Sequence, residues 1–207
     1  RLAACEARAD LRVDLGVARP RAAGARIVRL VLACAGDDEG ALAPRRLGLA
    51  GEVTIHAAPW LSTTVSGAFT DARFLESDAR QSRGARLPYV PELVVRADVV
   101  GKRRLGRVGK RVLEGKARYG IQGVVGRPLP YGELGHDIFL LEAGVSARLA
   151  EFELALDATN LLDADWYDGE FVYASNFRQN AEPSLVPARH VSVGAPRTLF
   201  ASLTLHL

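Results

Sequence analysis

Hydrophobic and polar residues alternate one by one at the end of the chain: Leu199, Ala201, Leu203, Leu205 and Leu207 are interleaved with Thr198, Phe200, Ser202, Thr204 and His206. A period of two puts the two sets on opposite faces of a strand. A membrane β-barrel needs such a strand, running to the final residue, to close against another. Half-buried strands of soluble sandwiches alternate too, so this segment alone leaves both architectures open.

The same pattern recurs upstream, each time over the length a tilted strand needs to cross a bilayer. In Leu47 to Ala57, the residues Leu47, Leu49, Val53 and Ile55 oppose Gly48, Glu52, Thr54 and His56. Leu61 to Thr70 sets Leu61, Val65 and Phe69 against Ser62, Thr64, Ser66 and Thr70, and Leu93 to Val99 sets Leu93, Val95, Ala97 and Val99 against Arg96 and Asp98. In Val112 to Ile121 the apolar set is Leu113, Ala117, Tyr119 and Ile121, facing away from Glu114, Lys116 and Arg118. Phe139 to Ala147 and Glu151 to Thr159 continue the series, and near the start Leu11, Val13, Leu15 and Val17 alternate, with Ile27 to Ala33 a less regular partner. The pattern predicts about nine strands and no helix.

The connections alternate between short and long. Pro20 to Gly24, Ala58 to Trp60 and Arg148 to Ala150 are short, with Gly101 to Lys110 a longer, basic version; Ala35 to Arg46, Asp71 to Pro91, Gly126 to Asp137 and Asn160 to Pro196 are long. Outer-membrane barrels keep short turns on the periplasmic side and long loops outside. If the chain ends in the periplasm, counting backwards places every short connection there. Trp60, Phe69, Tyr89, Tyr119, Phe139 and Phe152 then fall near strand ends or on the apolar face, where interfacial aromatic girdles lie.

Composition narrows the classes further. Among 207 residues no stretch approaches the roughly 18 apolar residues of a spanning helix, since the most apolar run, Ile27 to Ala35, is cut by Arg29. Arg1, Glu6, Arg8 and Asp10 leave no signal-peptide core, and the first residue is Arg1, so a processed or incomplete chain is expected. Cys5 and Cys34, the only cysteines, leave room for one bridge at most. A net charge of +3 with scattered cations argues against nucleic acid as a partner. No two histidines among His56, His136, His190 and His206 have metal-pair spacing, and Asp163, Asp165, Asp168 and Glu170 read as a solvated acidic loop rather than a calcium loop. No nucleophile motif or phosphate loop appears, so neither an enzyme nor a cofactor is expected. Glu142, Glu153 and Asp157 are expected to meet Arg96, Lys116 and Arg118 across a polar interior.

Several segments resemble a known family. Arg45-Arg46-Leu47-Gly48-Leu49-Ala50-Gly51-Glu52, Pro59-Trp60-Leu61 and Phe69-Thr70-Asp71-Ala72-Arg73-Phe74 are similar to a strand, turn and strand in the C-terminal half of TonB-dependent outer-membrane receptors. Leu87-Pro88-Tyr89-Val90-Pro91 resembles that family's segment re-entering the barrel, and Gly126-Arg127-Pro128-Leu129 its loop motif. Asn160-Leu161-Leu162-Asp163, Trp166-Tyr167 and Gly194-Ala195-Pro196-Arg197-Thr198 resemble its last long loop and closing strand. The resemblance implies an all-β fold, an antiparallel transmembrane β-barrel segment forming part of a barrel of about 22 strands. Residues 1–207 would be the C-terminal part of that barrel, without the plug domain and earlier strands.

The implied function is active import of a scarce nutrient, such as a ferric siderophore or cobalamin, driven by energy relayed through TonB. The implied partners are outer-membrane lipid, the TonB complex through the missing plug, a siderophore-like ligand, and the barrel-assembly machinery at the C-terminal strand. The family usually ends in an aromatic residue, and Leu207 departs from that. Ligand contact is expected from the last long loop, at Trp166, Tyr167, Phe171, Tyr173, Phe177 and Arg178, because aromatic rings with a cation suit stacking on a ring-shaped ligand. The same aromatics can instead fold the loop onto itself. The alternatives are a passive porin or small closed barrel, and a barrel enzyme with Ser, His and an acid on one rim. An open sheet leaves two unpaired edges, so the chain by itself is not expected to form a closed structure in detergent.

Overall fold

The computed structural model describes residues 9–11, 24–35, 44–77, 82–176 and 186–206. The expected strand residues 12–17, together with Cys5, Phe177, Arg178 and Leu207, lie outside them. The strands are β1 (Ala9–Leu11), β2 (Gly24–Ala35), β3 (Pro44–Ala58), β4 (Leu61–Phe74), β5 (Leu93–Val108), β6 (Arg111–Val125), β7 (Ile138–Leu149), β8 (Phe152–Thr159), β9 (Tyr167–Ala174), β10 (Pro187–Val193) and β11 (Thr198–Leu205). The only helical turn among the described residues is a 3-10 turn, Pro130–Gly132.

The fold is all-β and antiparallel. Nine strands pair in the order β1-β2-β3-β4-β5-β6-β7-β8-β11, while β9 and β10 form a separate hairpin inside the last long connection. That hairpin was not expected from the sequence. Nor was the length of β5 and β6, which continue through the basic segment to a two-residue turn at Gly109 and Lys110 rather than leaving a ten-residue connection. All three turns within β3 to β8 at this edge, at Pro59–Trp60, Gly109–Lys110 and Ala150–Glu151, are two residues long. The connections at the other edge are the long ones.

Register carries the alternation of each strand across the whole sheet, because opposed residues share a face. One apolar row runs Val53, Val65, Ala97, Ile121, Leu141, and another runs Ala117, Val145, Leu156, Ala201. The next row over carries Thr54, Thr64, Asp98, Gly120 and Glu142. The apolar face is uncovered: Phe69 is 52%, Val145 57% and Leu203 71% exposed. The buried apolar residues, Ala72, Phe74, Leu129, Ile138, Leu140 and Val172, all sit at the long-connection edge or in its loops. The described chain is packed at one end only.

The polar face is cross-linked instead. Arg96 donates to Asp98 at 2.8 Å, to Glu142 at 3.2 Å and to Gln122 at 3.3 Å, so one guanidinium ties β5 to β6 and β7. Arg118 reaches over Gly144 to Asp157 at 2.8 Å, joining β6 to β8. Glu153 feels the Lys116 charge without forming an ion pair with it; its hydrogen bonds go to diagonal neighbours, the Ser146 hydroxyl on β7 at 2.8 Å and His206 just beyond β11 at 3.0 Å. The bridges need bare backbone beneath them. A Cβ on Gly144 would run into both Asp157 and Arg118.

Replacing Gly144 by Val is therefore expected to destabilise the folded protein by about 1–3 kcal/mol, the usual result of overpacking. Gly106→Ala, where nothing lies near the added methyl, should leave stability unchanged. Urea midpoints of the two variants test this, and equal midpoints would contradict it.

Candidate functional site: a hairpin fastened over the loop edge

The last long connection begins and ends in one hydrogen-bonded knot. Asn160, buried at the end of β8 with a left-handed backbone (φ 49), accepts from the Ala164 N–H at 3.0 Å through its side-chain oxygen. Its amide group donates to the carbonyls of Ala164 at 2.9 Å and Ala195 at 3.2 Å. The Trp166 indole donates to the same Ala195 carbonyl at 3.0 Å, and the Gly194 N–H donates back to the Trp166 carbonyl at 2.9 Å. The indole lies so close to Gly194 that no Cβ fits. Asp163 completes the knot by accepting from the Arg197 N–H at 3.0 Å. Left-handed backbone suits Asn and Asp better than other non-glycine residues, which accounts for Asn160 and Asp163 at these places.

From this base rise β9 and β10, a two-faced hairpin. Glu170 and Val172 are buried, while Phe171 and Tyr173 between them are about half exposed, at 49% and 48%. Inward-facing Glu170 has no exposed side-chain surface at all. Its Oε2 accepts from Arg127 at 2.6 Å and from the His136 backbone N–H at 2.8 Å, and its Oε1 meets His136 Nδ1 at 2.8 Å and Arg189 at 3.3 Å. Arg189 continues to Glu133 at 2.9 Å and to the Leu134 carbonyl at 2.8 Å. Gly135 makes the approach possible, since a Cβ there would meet Glu170 and Arg127. Glu170 thus fastens the hairpin to the 126–137 connection. The solvated acidic loop expected for Glu170 is overturned by this burial, whereas Asp163, Asp165 and Asp168 are exposed as expected, Asp163 with Arg197 beside it.

Burial pushes the Glu170 carboxyl up, but hydrogen bonds from the His136 ring and backbone and from Arg127, together with the Arg127 charge, outweigh it and hold the group below the ordinary carboxylate value.

The outward face presents rings. Phe171 leans on Tyr89 with centroids 5.7 Å apart, and the Tyr89 hydroxyl accepts from the Val172 N–H at 3.4 Å. Tyr173 stacks on His190 at 4.0 Å, and His190 Nε2 meets the Ser175 hydroxyl at 3.1 Å. Tyr167 stands edge-on to His136 at 5.1 Å. Of the residues expected to contact ligand, Phe171 and Tyr173 are brought together on the exposed face, whereas Trp166 and Tyr167 make packing contacts lower down. Phe177 and Arg178 lie outside the described residues. Sequence reasoning missed Tyr89 and His190 as neighbours of this face and Arg127, His136, Glu170 and Arg189 as its fastening. Among the described residues no group of three His, Cys, Asp or Glu side chains is placed to hold a metal ion. What the arrangement offers is flat π-surface with the His190 imidazole beside it, suited to stacking on a planar ligand. No family model, curated protein or solved structure matches the chain.

Glu170→Ala leaves the largely buried Arg127 guanidinium without its carboxylate, an error that costs about 3–5 kcal/mol, while Arg189 keeps Glu133. It should release the hairpin without unfolding the sheet: limited proteolysis would cut within 160–197 while the strand core stays protected. Cleavage no faster than wild type would contradict the fastening role. The sign of the pH dependence follows from the lowered carboxyl. Its contribution is fully present above the unfolded carboxylate value of about 4.3 and is lost as pH falls through the lower folded value. Hydrogen exchange at β9 should stay slow from pH 8 to 5 and accelerate only under stronger acid, and acceleration already near pH 6 would contradict it.

Proposed function

We propose that this chain is part of the barrel wall of an outer-membrane nutrient receptor of the TonB-dependent type. In this reading the two-residue turns face the periplasm and the fastened hairpin faces outside. The observation that carries it is the two-faced sheet, with an uncovered apolar face continuous through β3 to β8 and β11 and an opposite face of ion pairs and hydroxyls. Water would oppose such a face, whereas lipid is its natural surroundings, and a water-filled interior accepts the polar one. Aromatic residues mark both ends of the apolar face, with Trp60 and Phe152 at the short turns and Phe69 and Phe139 towards the long connections.

Transport in this reading involves no covalent chemistry. A planar ligand stacks on Phe171, Tyr173 and Tyr89 outside, and the charged ladder of Arg96, Asp98, Glu142, Arg118 and Asp157 lines the way inward. These partly exposed pairs are individually weak, so they can exchange partners with a passing polar ligand or with a plug. The Ser175–His190 contact favours a second reading, a barrel hydrolase, because a hydroxyl beside an imidazole is how a serine nucleophile is activated.

The test is to delete the complete gene and grow the strain on a panel of iron chelates and on limiting cobalamin. Loss of growth on one source, restored by the intact gene and not by a version lacking residues 167–193, is the expected result. Unchanged growth on every source, together with a steady open-pore conductance in planar bilayers, would instead favour a porin. Ester hydrolysis abolished by Ser175→Ala would favour the enzyme.

A further inference from the structure

The apolar face is not uniform. Near the short turns two adjacent rows are low: Gly101, Ala117, Val145 and Leu156 lie in one, and Arg103, Gly115, Ala147 and Leu154 in the next. Gly and Ala form the floor between Trp60 on one flank and Leu154 and Leu156 on the other, leaving an open groove of about 510 Å³. A Cβ added to Gly101 would only touch the Trp60 ring, whereas Leu105, at the register shift between Arg104 and Gly106, already covers Gly115 so closely that no Cβ fits there. A side chain on Gly101 would fill the depression.

Its rim carries a cation. Arg103 shares a row with Gly115 and so belongs to the apolar face, where a charge is out of place unless something answers it. No carboxylate lies within ion-pair distance of it among the described residues; the neighbouring Arg104 has Glu114, and Arg111 has Glu151. An occupant must therefore combine a narrow apolar part that fits between Trp60 and the two leucines with an anionic part at the short-turn end. A fatty acyl chain can fill a shallow irregular groove by rotating about its single bonds, and a void left there would forfeit dispersion contacts along its whole lining. An arginine at this depth extends its head to the interface and meets phosphate there.

We infer that the groove holds one anionic phospholipid, its acyl chain on Gly101, Ala117 and Ala147 beside Leu105 and its phosphate on Arg103. The inference rests on the reading of this sheet as a membrane wall. Native mass spectrometry of the complete gene product, extracted from outer membranes in mild detergent and mixed with phosphatidylglycerol or phosphatidylcholine, tests it. Wild type should retain one phosphatidylglycerol about fivefold better than phosphatidylcholine, the equivalent of the roughly 1 kcal/mol that one arginine contributes at an anionic lipid surface. Arg103→Gln should abolish the preference, and Ala117→Phe, which fills the floor, should reduce retention of both lipids. Equal retention of the two lipids by wild type, or an undiminished preference in Arg103→Gln, overturns the lipid site. Heat-shifted migration on a gel separates the two levels: a protein that shows it and fails the lipid test loses only this site. A protein recovered in the soluble fraction overturns both readings. Dimer peaks that disappear with Ala117→Phe and do not depend on lipid would assign the groove to a second copy instead.

Discussion

Everything in this molecule depends on the pairing of backbone N–H and C=O groups between neighbouring strands. Each strand from β2 to β8 is bonded on both sides, so main-chain groups are satisfied by the sheet itself rather than by a core packed against it. That independence is what allows one face to remain apolar and uncovered. In an ordinary sandwich the apolar face is the reason the sheet folds; here the few buried apolar residues sit at one edge, and stability on the described chain comes from the ladder and from bridges on the opposite face.

The two ends of the sheet are built on different principles. At the short-turn edge the strands reverse in two residues, and β5 runs on beyond the end of β4, whose first residue pairs with Gly101. Residues 103–108 of β5 therefore have no neighbour on that side in the pairing. Arg103, Arg104 and Arg107, with a register shift between Arg104 and Gly106, are the features that keep an open edge from recruiting another strand. At the long-connection edge the design is reversed. Loops are tied by specific polar contacts, at Asn160 and at Glu170, and the buried apolar residues of the described chain gather here.

The strands of the main sheet were legible because each carries one polar and one apolar face, so the period of two survives in the sequence. The tip of the β5 and β6 hairpin was not, since Lys102 to Arg107 is polar on both faces and shows no alternation. β9 and β10 were hidden for a sharper reason: their inward positions carry Glu170 and Arg189, so the buried face reads as a polar one. Asn160 and Gly194 stood out only through resemblance, and Asp163 and Trp166 were singled out for other roles, yet all four take part in the knot at the loop base. Tyr89 and His190 are far from Phe171 and Tyr173 along the chain or across a turn, and only register and loop path bring them together.

The choice of a carboxylate to fasten the hairpin also has a physical logic. An apolar residue at position 170 would bury surface without specifying where on the 126–137 connection the hairpin sits. A carboxylate surrounded by Arg127, the His136 ring and backbone, and Arg189 is satisfied in one arrangement only, since each donor comes from a different direction. Buried charge is a poor way to gain stability but an effective way to fix register. The rigid inward contact then leaves Phe171 and Tyr173, one residue away on either side of Val172, held at a fixed height on the outward face. In the receptor proposed above, rings that need no ordering on contact favour affinity, and Glu170 supplies that order in advance.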